Sequence, residues 1–124
     1  MPLKVTAQET NPGIFSVSPV GSLDSNTAPA LEERLRPILA SGPKAVILDL
    51  AGLEYISSAG IRVVVATRKA LKGKEGKLLL VNLPPQIRKV FDIIQALPSL
   101  NVFRSVAELD EYLGAMQEKA KEEA

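Results

Sequence analysis

Residues 45–61 read AVILDLAGLEYISSAGI, and this stretch decides the fold of the chain. Its first part, 45–50, is a short apolar run bounded by turn residues, which predicts a strand buried on both faces. A loop is expected over 51–56. The letters SSAG then open a helix, which we expect to end near Lys72 because glycine follows there.

The same kinds of signal recur on both sides of this stretch. Towards the N-terminus, alternating residues from Leu3, a turn at 11–13 and an apolar run over 14–18 predict a β-hairpin. A polar loop over 21–27 then leads into a helix over about 29–39. Towards the C-terminus we expect a buried strand over 77–82, a helix from Pro84-Pro85 that stops before Pro98, a short strand over 101–103, and a final helix opened by capping-box spacing at 105–108.

The predicted order is ββαβαβαβα. Strands that alternate with helices after an initial β-hairpin indicate an α/β fold with a mainly parallel central sheet and helices packed on it. The 124 residues fit one domain. We place that domain at 1–117 and expect the charged C-terminal tail, 118–124, to be frayed.

Composition excludes several classes of function. The formal net charge is +1 and aromatic residues make up 4%, so the chain lacks the basic surface and the stacking platform of a nucleic-acid binder. It contains no cysteine and no histidine. Disulfides, thiolate catalysis, the commonest general base and the commonest metal ligands are therefore absent, and we expect no metal site and no cofactor.

Nothing in the sequence predicts membrane insertion. The opening residues, MPLKVTAQETNPG, lack the apolar run of a signal peptide, and no stretch approaches the roughly 20 apolar residues that span a bilayer. We expect a cytoplasmic protein.

Two polar segments follow predicted strands, at the sheet edge where α/β proteins place their functional loops. One carries Asp24, and the other brings Ser57 and Ser58 to the start of a helix. If the preceding strands are neighbours, these loops should lie close together. Free backbone N–H groups and the positive end of the helix dipole favour a negative charge at such a helix start.

Each of these residues also has a purely structural interpretation. Ser57 and Ser58 suit helix capping, Asp24 suits a turn or cap, and Gly60 could permit close packing. Residue pattern alone indicates a small soluble α/β domain.

Three segments resemble those of one known family. Residues 45–61 look like the central signature of STAS domains, in which a strand and short loop lead into D/S-S-S/T/A-G-L/I. The string Gly21-Ser22-Leu23-Asp24 resembles the family's G-x-L-D loop, and 85–92 resembles its P-x-V-x-R/K-x-F/L-D helix start. The match spans nearly the whole chain, and the chain as a whole is similar to bacterial anti-sigma factor antagonists.

This resemblance implies partner switching. The unmodified antagonist binds an anti-sigma factor that is also a GHKL-type serine kinase, which frees the sigma factor. The kinase phosphorylates the serine that matches Ser58, the complex dissociates, and a PP2C-type phosphatase resets the cycle. On this basis we assign Asp24, Ser57, Ser58, Gly60 and Arg62 to partner binding. Relatives control transcription, secretion or motility through the same exchange, and the sequence does not distinguish these outputs.

Two positions depart from the pattern of the family. Many antagonists have aspartate where this chain has Ser57, which makes that hydroxyl a rival acceptor. Arg62 replaces a small glycine, and its i,i+4 spacing from Ser58 would let it pair with a phosphate or with an acidic partner residue. The alternative for Arg62 is a solvated surface role. Residues 63–65 are all valine, so either flanking elements bury them or some form an apolar partner surface beside Ser58.

Two other functions compete with this one. The chain could be the STAS subunit of a lipid-transport or signalling-scaffold complex, which needs no phosphorylation of Ser58. It could also be an enzyme that uses Asp24 and Asp49 as an acid–base pair. We expect no enzyme, because Asp49 lies in a predicted buried strand, where a structural role suits it better, and because the chain has no histidine, no cysteine, no metal cluster and no glycine-rich phosphate-binding loop.

Overall fold

The computed structural model of the chain describes residues 3–96 and 104–123. It has an α/β fold with an initial hairpin, as predicted. Within these ranges the elements are β1 (Lys4–Asn11), β2 (Ile14–Leu23), α1 (Ala28–Ala40), β3 (Ala45–Asp49), β4 (Leu53–Ile56), α2 (Ser58–Lys72), β5 (Lys77–Val81), α3 (Pro85–Ala96) and α4 (Val106–Glu123).

The sheet is mainly parallel. Among the strands of the described residues, only the hairpin pair β1–β2 is antiparallel, whereas β2 runs parallel to β3 and β4, and β3 runs parallel to β5. The path through the sheet is β1-β2-β3-β5. The strand β2 pairs with β3 through its first half and with β4 through its last residues, so β2 is central to both halves of the sheet.

The prediction of a loop over 51–56 is wrong, because its last four residues form the strand β4. This strand has only four residues, too few for a clear alternating pattern. It forms because β2 continues through the predicted loop start as far as Leu23 and offers its edge there. Gly21 has φ of 116°, a left-handed value that glycine tolerates, at the bulge where the β2–β4 register shifts.

The strands predicted to be buried on both faces are buried on one. In β3, Val46 and Leu48 are fully buried while Ile47 between them is half-buried. In β5, Leu78 and Leu80 pack against the core, but Leu79 on the other face is 48% exposed. Successive side chains point to opposite faces of a sheet, so the apolar run covers a second face that the core does not reach.

The C-terminal part differs from prediction in its tail. The strand predicted over 101–103 lies outside the described residues. Pro98, before which the third helix was expected to end, lies outside them as well. The helix α4 continues to Glu123, through the tail expected to be frayed. Ala120 is buried there, and burial of this side chain favours a helix that extends beyond residue 117.

One apolar core joins the sheet to the helices. The helix α1 packs on α2, and α3 packs on α4. Fully buried side chains come from three strands, all four helices and the loop after β3: Val17, Leu23, Leu31, Leu35, Val46, Leu48, Leu50, Leu53, Ile56, Leu71, Ile87 and Leu113.

Candidate functional site

The two polar loops meet at one edge of the sheet, as the sequence predicts for neighbouring strands. The parallel pairing of β2 with β4 places Leu23 opposite Ile56, so the residues that follow, Asp24 and Ser57, leave the sheet side by side. The backbone N–H of Ser57 donates to the carbonyl oxygen of Leu23 at 2.9 Å. This hydrogen bond ties the start of α2 to the end of β2.

Neither serine hydroxyl caps α2. Ser57 occupies the N-cap position with extended backbone, yet its side chain makes no capping hydrogen bond. Ser57 and Ser58 are 4% and 7% exposed, and each Oγ atom is buried without a hydrogen-bond partner among the described residues. Buried polar atoms are nearly always paired, and leaving one unpaired costs about 1–3 kcal/mol. Capping therefore does not explain these two side chains.

The cap comes from another helix. The carboxylate of Asp110, on α4, accepts the backbone N–H of Ser58 at 2.8 Å. An anionic acceptor at a helix start satisfies a free donor and complements the helix dipole. Sequence analysis missed Asp110, because it lies 52 residues from Ser58 and no local pattern links them.

A second contact from α4 joins the same segment. The side-chain amide of Gln117 accepts the N–H of Ile56 and donates to its carbonyl oxygen, both at 2.8 Å. The amide also donates to the carbonyl oxygen of Leu113 at 2.9 Å. Gln117 is buried and completes the hydrogen bonding of β4 as a neighbouring strand would. Sequence analysis missed this residue as well.

Asp24 shapes its own loop. Its carboxylate accepts the N–H groups of Asn26 and Thr27 at 2.9 and 3.1 Å. The hydroxyl of Thr27 accepts the N–H of Asp24 and donates to the carbonyl oxygen of Ser22 at 2.7 Å. Aspartate commonly organises turns in this way. The turn interpretation of Asp24 is thus correct, and the side chain stays half-buried at the edge of the site.

Tyr55 reports on the charge at this edge. Burial raises its pKa above the ordinary 10.0, and the carboxylates of Asp110 and then Asp24 raise it further. A negative charge disfavours ionisation of a nearby phenol. Asp24 and Asp110 thus make the surroundings of the α2 start acidic, a feature that sequence analysis did not predict.

Gly60 is a packing residue in this structure. A Cβ atom built there would lie 2.8 Å from Leu23 Cγ and from Ile56 Cγ1, which is closer than non-bonded carbon atoms approach each other in proteins. The absence of a side chain lets α2 approach the ends of β2 and β4. This observation agrees with the packing interpretation and leaves the partner-binding assignment of Gly60 a prediction.

The outer surface of α2 presents Arg62 and Val65. Arg62 is exposed, and it lines an open groove with Ser58, Ile61, Val65 and Leu109. Val63 and Val64 are buried by flanking elements, whereas Val65 is 40% exposed. The valine run therefore serves the core at two positions and the surface beside Ser58 at the third.

Asp49 has a structural role, as sequence analysis expected. Its carboxylate accepts the N–H of Ala51 at 3.1 Å and the side-chain amide of Asn82 at 3.2 Å. Within residues 3–96 and 104–123, no three acidic side chains are grouped to hold a metal ion. No helix in the same ranges combines the length and the apolar character that spanning a bilayer requires.

Comparison with known proteins points to one family. The STAS domain family model matches residues 6–109. The putative anti-sigma factor antagonist BtrV of Bordetella bronchiseptica is 44% identical over 73 residues, which are 59% of this chain and 63% of that protein. The anti-sigma-B factor antagonist of Staphylococcus epidermidis is 34% identical over 84 residues, 68% of this chain and 78% of that one.

Solved structures agree. The crystal structure of an anti-sigma factor antagonist from Mycobacterium paratuberculosis superposes with a TM-score of 0.69 at 29% identity, covering 93% of this chain and 94% of the other. The unphosphorylated form of the anti-sigma factor antagonist SpoIIAA has a TM-score of 0.64 at 20% identity, covering 73% of this chain and 83% of that one, which indicates a shared fold.

Proposed function

The chain belongs to the STAS domain family, and from that premise we propose that it is a cytoplasmic anti-sigma factor antagonist that works by partner switching. Unphosphorylated, it binds an anti-sigma factor that is a GHKL-type serine kinase. Phosphorylation of Ser58 releases it, and a PP2C-type phosphatase restores binding. The protein acts by binding and not by catalysis.

One observation carries the assignment of Ser58. Its Oγ atom is the side-chain hydroxyl of the first residue of α2, and it is committed to no hydrogen bond within the described residues. A hydroxyl without a structural partner is free to serve as an acceptor. Ser57 shares that property and remains the rival acceptor, but it precedes the helix and lies one residue further from the groove lined by Arg62.

A phosphate at Ser58 would act on the complex more than on the fold. It adds about −1.5 to −2 charges at neutral pH. At a helix N-terminus the dipole partly offsets that charge, so the domain should stay folded. The same charge beside Asp24 and Asp110 would make the surface strongly acidic. An interface that buries an unpaired dianion loses several kcal/mol, and about 5.5 kcal/mol reverses a 99:1 equilibrium.

The groove beside Ser58 is the proposed partner surface. Val65 and Ile61 offer apolar contact, and Arg62 offers a positive charge to an acidic partner residue. Asp24 and Ser57 border this surface, and Gly60 supports it from below through its close packing. Replacing Arg62 with alanine should weaken partner binding. An unchanged affinity and an unchanged phosphorylation rate would contradict that role.

The test is affinity capture from a lysate of the source bacterium, with wild-type and Ser58→Glu baits shown to be folded by circular dichroism. We expect the wild type to retain a GHKL-type kinase and Ser58→Glu to lose it. The purified kinase with ATP should phosphorylate Ser57→Ala but not Ser58→Ala. Retention of one transport or scaffold protein by both baits would contradict the proposal.

A further inference from the structure

We propose that the exposed side of α2 is a docking surface for an acidic segment of the kinase, and that this surface continues well beyond the groove at Ser58. The inference rests on the proposed function, because the partner is the kinase assigned there. The surface, which we call the cationic strip, consists of four basic side chains around one valine: Arg62, Val65, Arg68, Lys69 and Lys72. The strip sets how fast, and in which orientation, the kinase meets the domain.

Positive charge is segregated on α2. The helix carries four basic residues, all of them exposed, and has no acidic residue between Ser58 and Lys72. The whole chain has 15 basic and 14 acidic residues, so the remainder of the chain is net negative. Within the described residues, no ion pair or side-chain hydrogen bond engages these four cations. Their charge therefore faces solvent and is available to a partner.

Helix stability explains only part of this pattern. Lys69 and Lys72 lie in the last turn, where cations complement the negative end of the helix dipole. Arg62 lies in the second turn, towards the positive end, where a cation gains nothing from the dipole. Neither Arg62 nor Arg68 has an acidic residue three or four positions away with which to pair. The two arginines therefore point to a role outside the helix.

Spacing places the cations on one side of α2. Residues 62, 65, 69 and 72 follow each other at intervals of three and four, and such residues align on one face of a helix. Arg68 borders this face, three residues after Val65. The strip begins at the groove of the acceptor serine, which Arg62 and Val65 line, and it runs to the end of the helix. Its length of about 15 Å matches about three turns of a docked helix.

An apolar groove borders the strip on the side of α1. The groove lies between α1 and α2 and has a volume of about 300 Å³. Both helices contribute its apolar lining: Leu35, Leu39, Val63, Ala66 and Ala70. Glu32 and Arg36 of α1 line it as well, with one charge of each sign. Apolar residues of a docked helix can pack in this groove while its acidic residues meet the strip.

The charges favour an acidic protein segment. The sign reverses at the start of α2, where Asp24 and Asp110 make the surroundings acidic, so complementary charge also fixes the direction in which a segment lies along the helix. Nucleic acid fits less well, because α2 has no aromatic side chain on which a base could stack. A membrane surface also fits less well, because Val65 is the one large apolar side chain that α2 exposes.

Association kinetics test the strip with the kinase that the capture experiment retains. Lys69→Glu reverses one charge of the strip, and Lys4→Glu reverses an exposed charge on β1 as the matched control. We expect Lys69→Glu to lower the association rate constant about tenfold at roughly 20 mM salt, because long-range attraction steers the encounter. At about 0.5 M salt, screening should reduce the difference to less than about twofold. Lys4→Glu should match the wild type at both concentrations.

Phosphorylation kinetics separate docking from chemistry. With the same kinase and ATP, Lys69→Glu should raise the KM for this protein by a similar factor and leave kcat unchanged, because Ser58 and its surroundings are intact. Lys4→Glu should change neither constant. A lower kcat at unchanged KM would contradict a docking role for Lys69.

Cross-linking identifies the docked segment. The chain has no cysteine, so a benzophenone maleimide can be attached at the exposed Ala66→Cys, at the border of strip and groove, or at the exposed Gln8→Cys on β1 as a control. We expect the label at 66 to cross-link to an acidic peptide of the kinase and the label at 8 to cross-link to none. A cross-linked peptide without acidic residues, or a product of two copies of this chain, would overturn the proposal.

The outcomes distinguish the strip from the proposed function. Equal association rates for the wild type and Lys69→Glu would overturn the strip, even if Ser58→Glu loses the kinase. Capture of one scaffold protein by both the wild type and Ser58→Glu would contradict the proposed function, and the strip would then stand only if Lys69→Glu slowed association with that protein. Binding of the wild type, but not of Lys69→Glu, to phosphatidylglycerol vesicles would assign the strip to a membrane surface and overturn the proposal.

Discussion

At the residue scale, Gly60 shows how closely α2 approaches the sheet. Gly60→Ala places a methyl group about where Leu23 and Ile56 already lie. We expect the free energy of unfolding to fall by about 1–3 kcal/mol, the usual cost of overpacking a core. Urea unfolding followed by circular dichroism measures this change.

Gly114, on α4, is the matched control. A Cβ atom there would meet only Tyr55, with the hydroxyl oxygen at 3.7 Å and Cε1 at 3.9 Å, which is ordinary contact. Gly114→Ala should therefore raise the free energy of unfolding by about 0.5–1 kcal/mol, because alanine favours helix over glycine. Destabilisation by both substitutions to the same extent would contradict this account of Gly60.

Tyr55 links stability to pH at the same scale. Its pKa is raised above 10.0 by burial and by Asp110 and Asp24, so the native state keeps the phenol proton up to a higher pH than the unfolded chain does. The resulting stabilisation is complete below pH 10.0 and is lost as pH rises through the native pKa. Near-ultraviolet absorbance of tyrosinate, as the difference between wild type and Tyr55→Phe, should show ionisation above pH 10.0.

A second titration identifies the cause. Asp110→Asn removes one of the charges that raise the pKa of Tyr55 and should lower the midpoint of that difference titration. Asp92→Asn, an exposed acid on α3, should leave the midpoint in place. A midpoint unchanged by Asp110→Asn would mean that burial alone raises the pKa.

At the element scale, the side chain of Gln117 acts as the missing neighbour of β4. Gln117→Met keeps similar volume but leaves the Ile56 N–H and carbonyl groups unpaired in a buried place. Since each of the two unpaired buried groups costs about 1–3 kcal/mol, we expect a loss of about 2–6 kcal/mol in unfolding free energy. Urea unfolding checks this prediction. The exposed neighbour Glu118→Met should change stability by less than about 0.5 kcal/mol.

At the scale of the whole molecule, one core joins the sheet to both helix pairs. Leu113 of α4 and Val17 of β2 belong to the same buried cluster. Leu113→Ala should therefore lower the free energy of unfolding by about 2–5 kcal/mol within a single transition, and it should not create a separate early one. Far-ultraviolet circular dichroism and tyrosine fluorescence should give coincident curves. Two resolved transitions would mean that α4 unfolds independently.

The sequence by itself determined the α/β class, the initial hairpin, the positions of the helices and the proximity of the two polar loops. These features depend on periodicity within one element and on the rule that parallel strands end at the same edge of a sheet. The stretch 45–61 contains two strands and the start of α2. Its motif was also enough to indicate the family, to which the comparisons assign the chain.

Only the tertiary structure decided how the site is held. The strand β4 exists because β2 offers an edge to four residues that have no clear pattern of their own. Asp110 and Gln117 reach the segment 56–58 from 52 and 61 residues away. Contacts over such separations depend on how complete elements pack, and no window of local sequence contains both partners. The burial of Ser57 and Ser58 has the same origin, because solvent is excluded by elements that the chain brings together only when it folds.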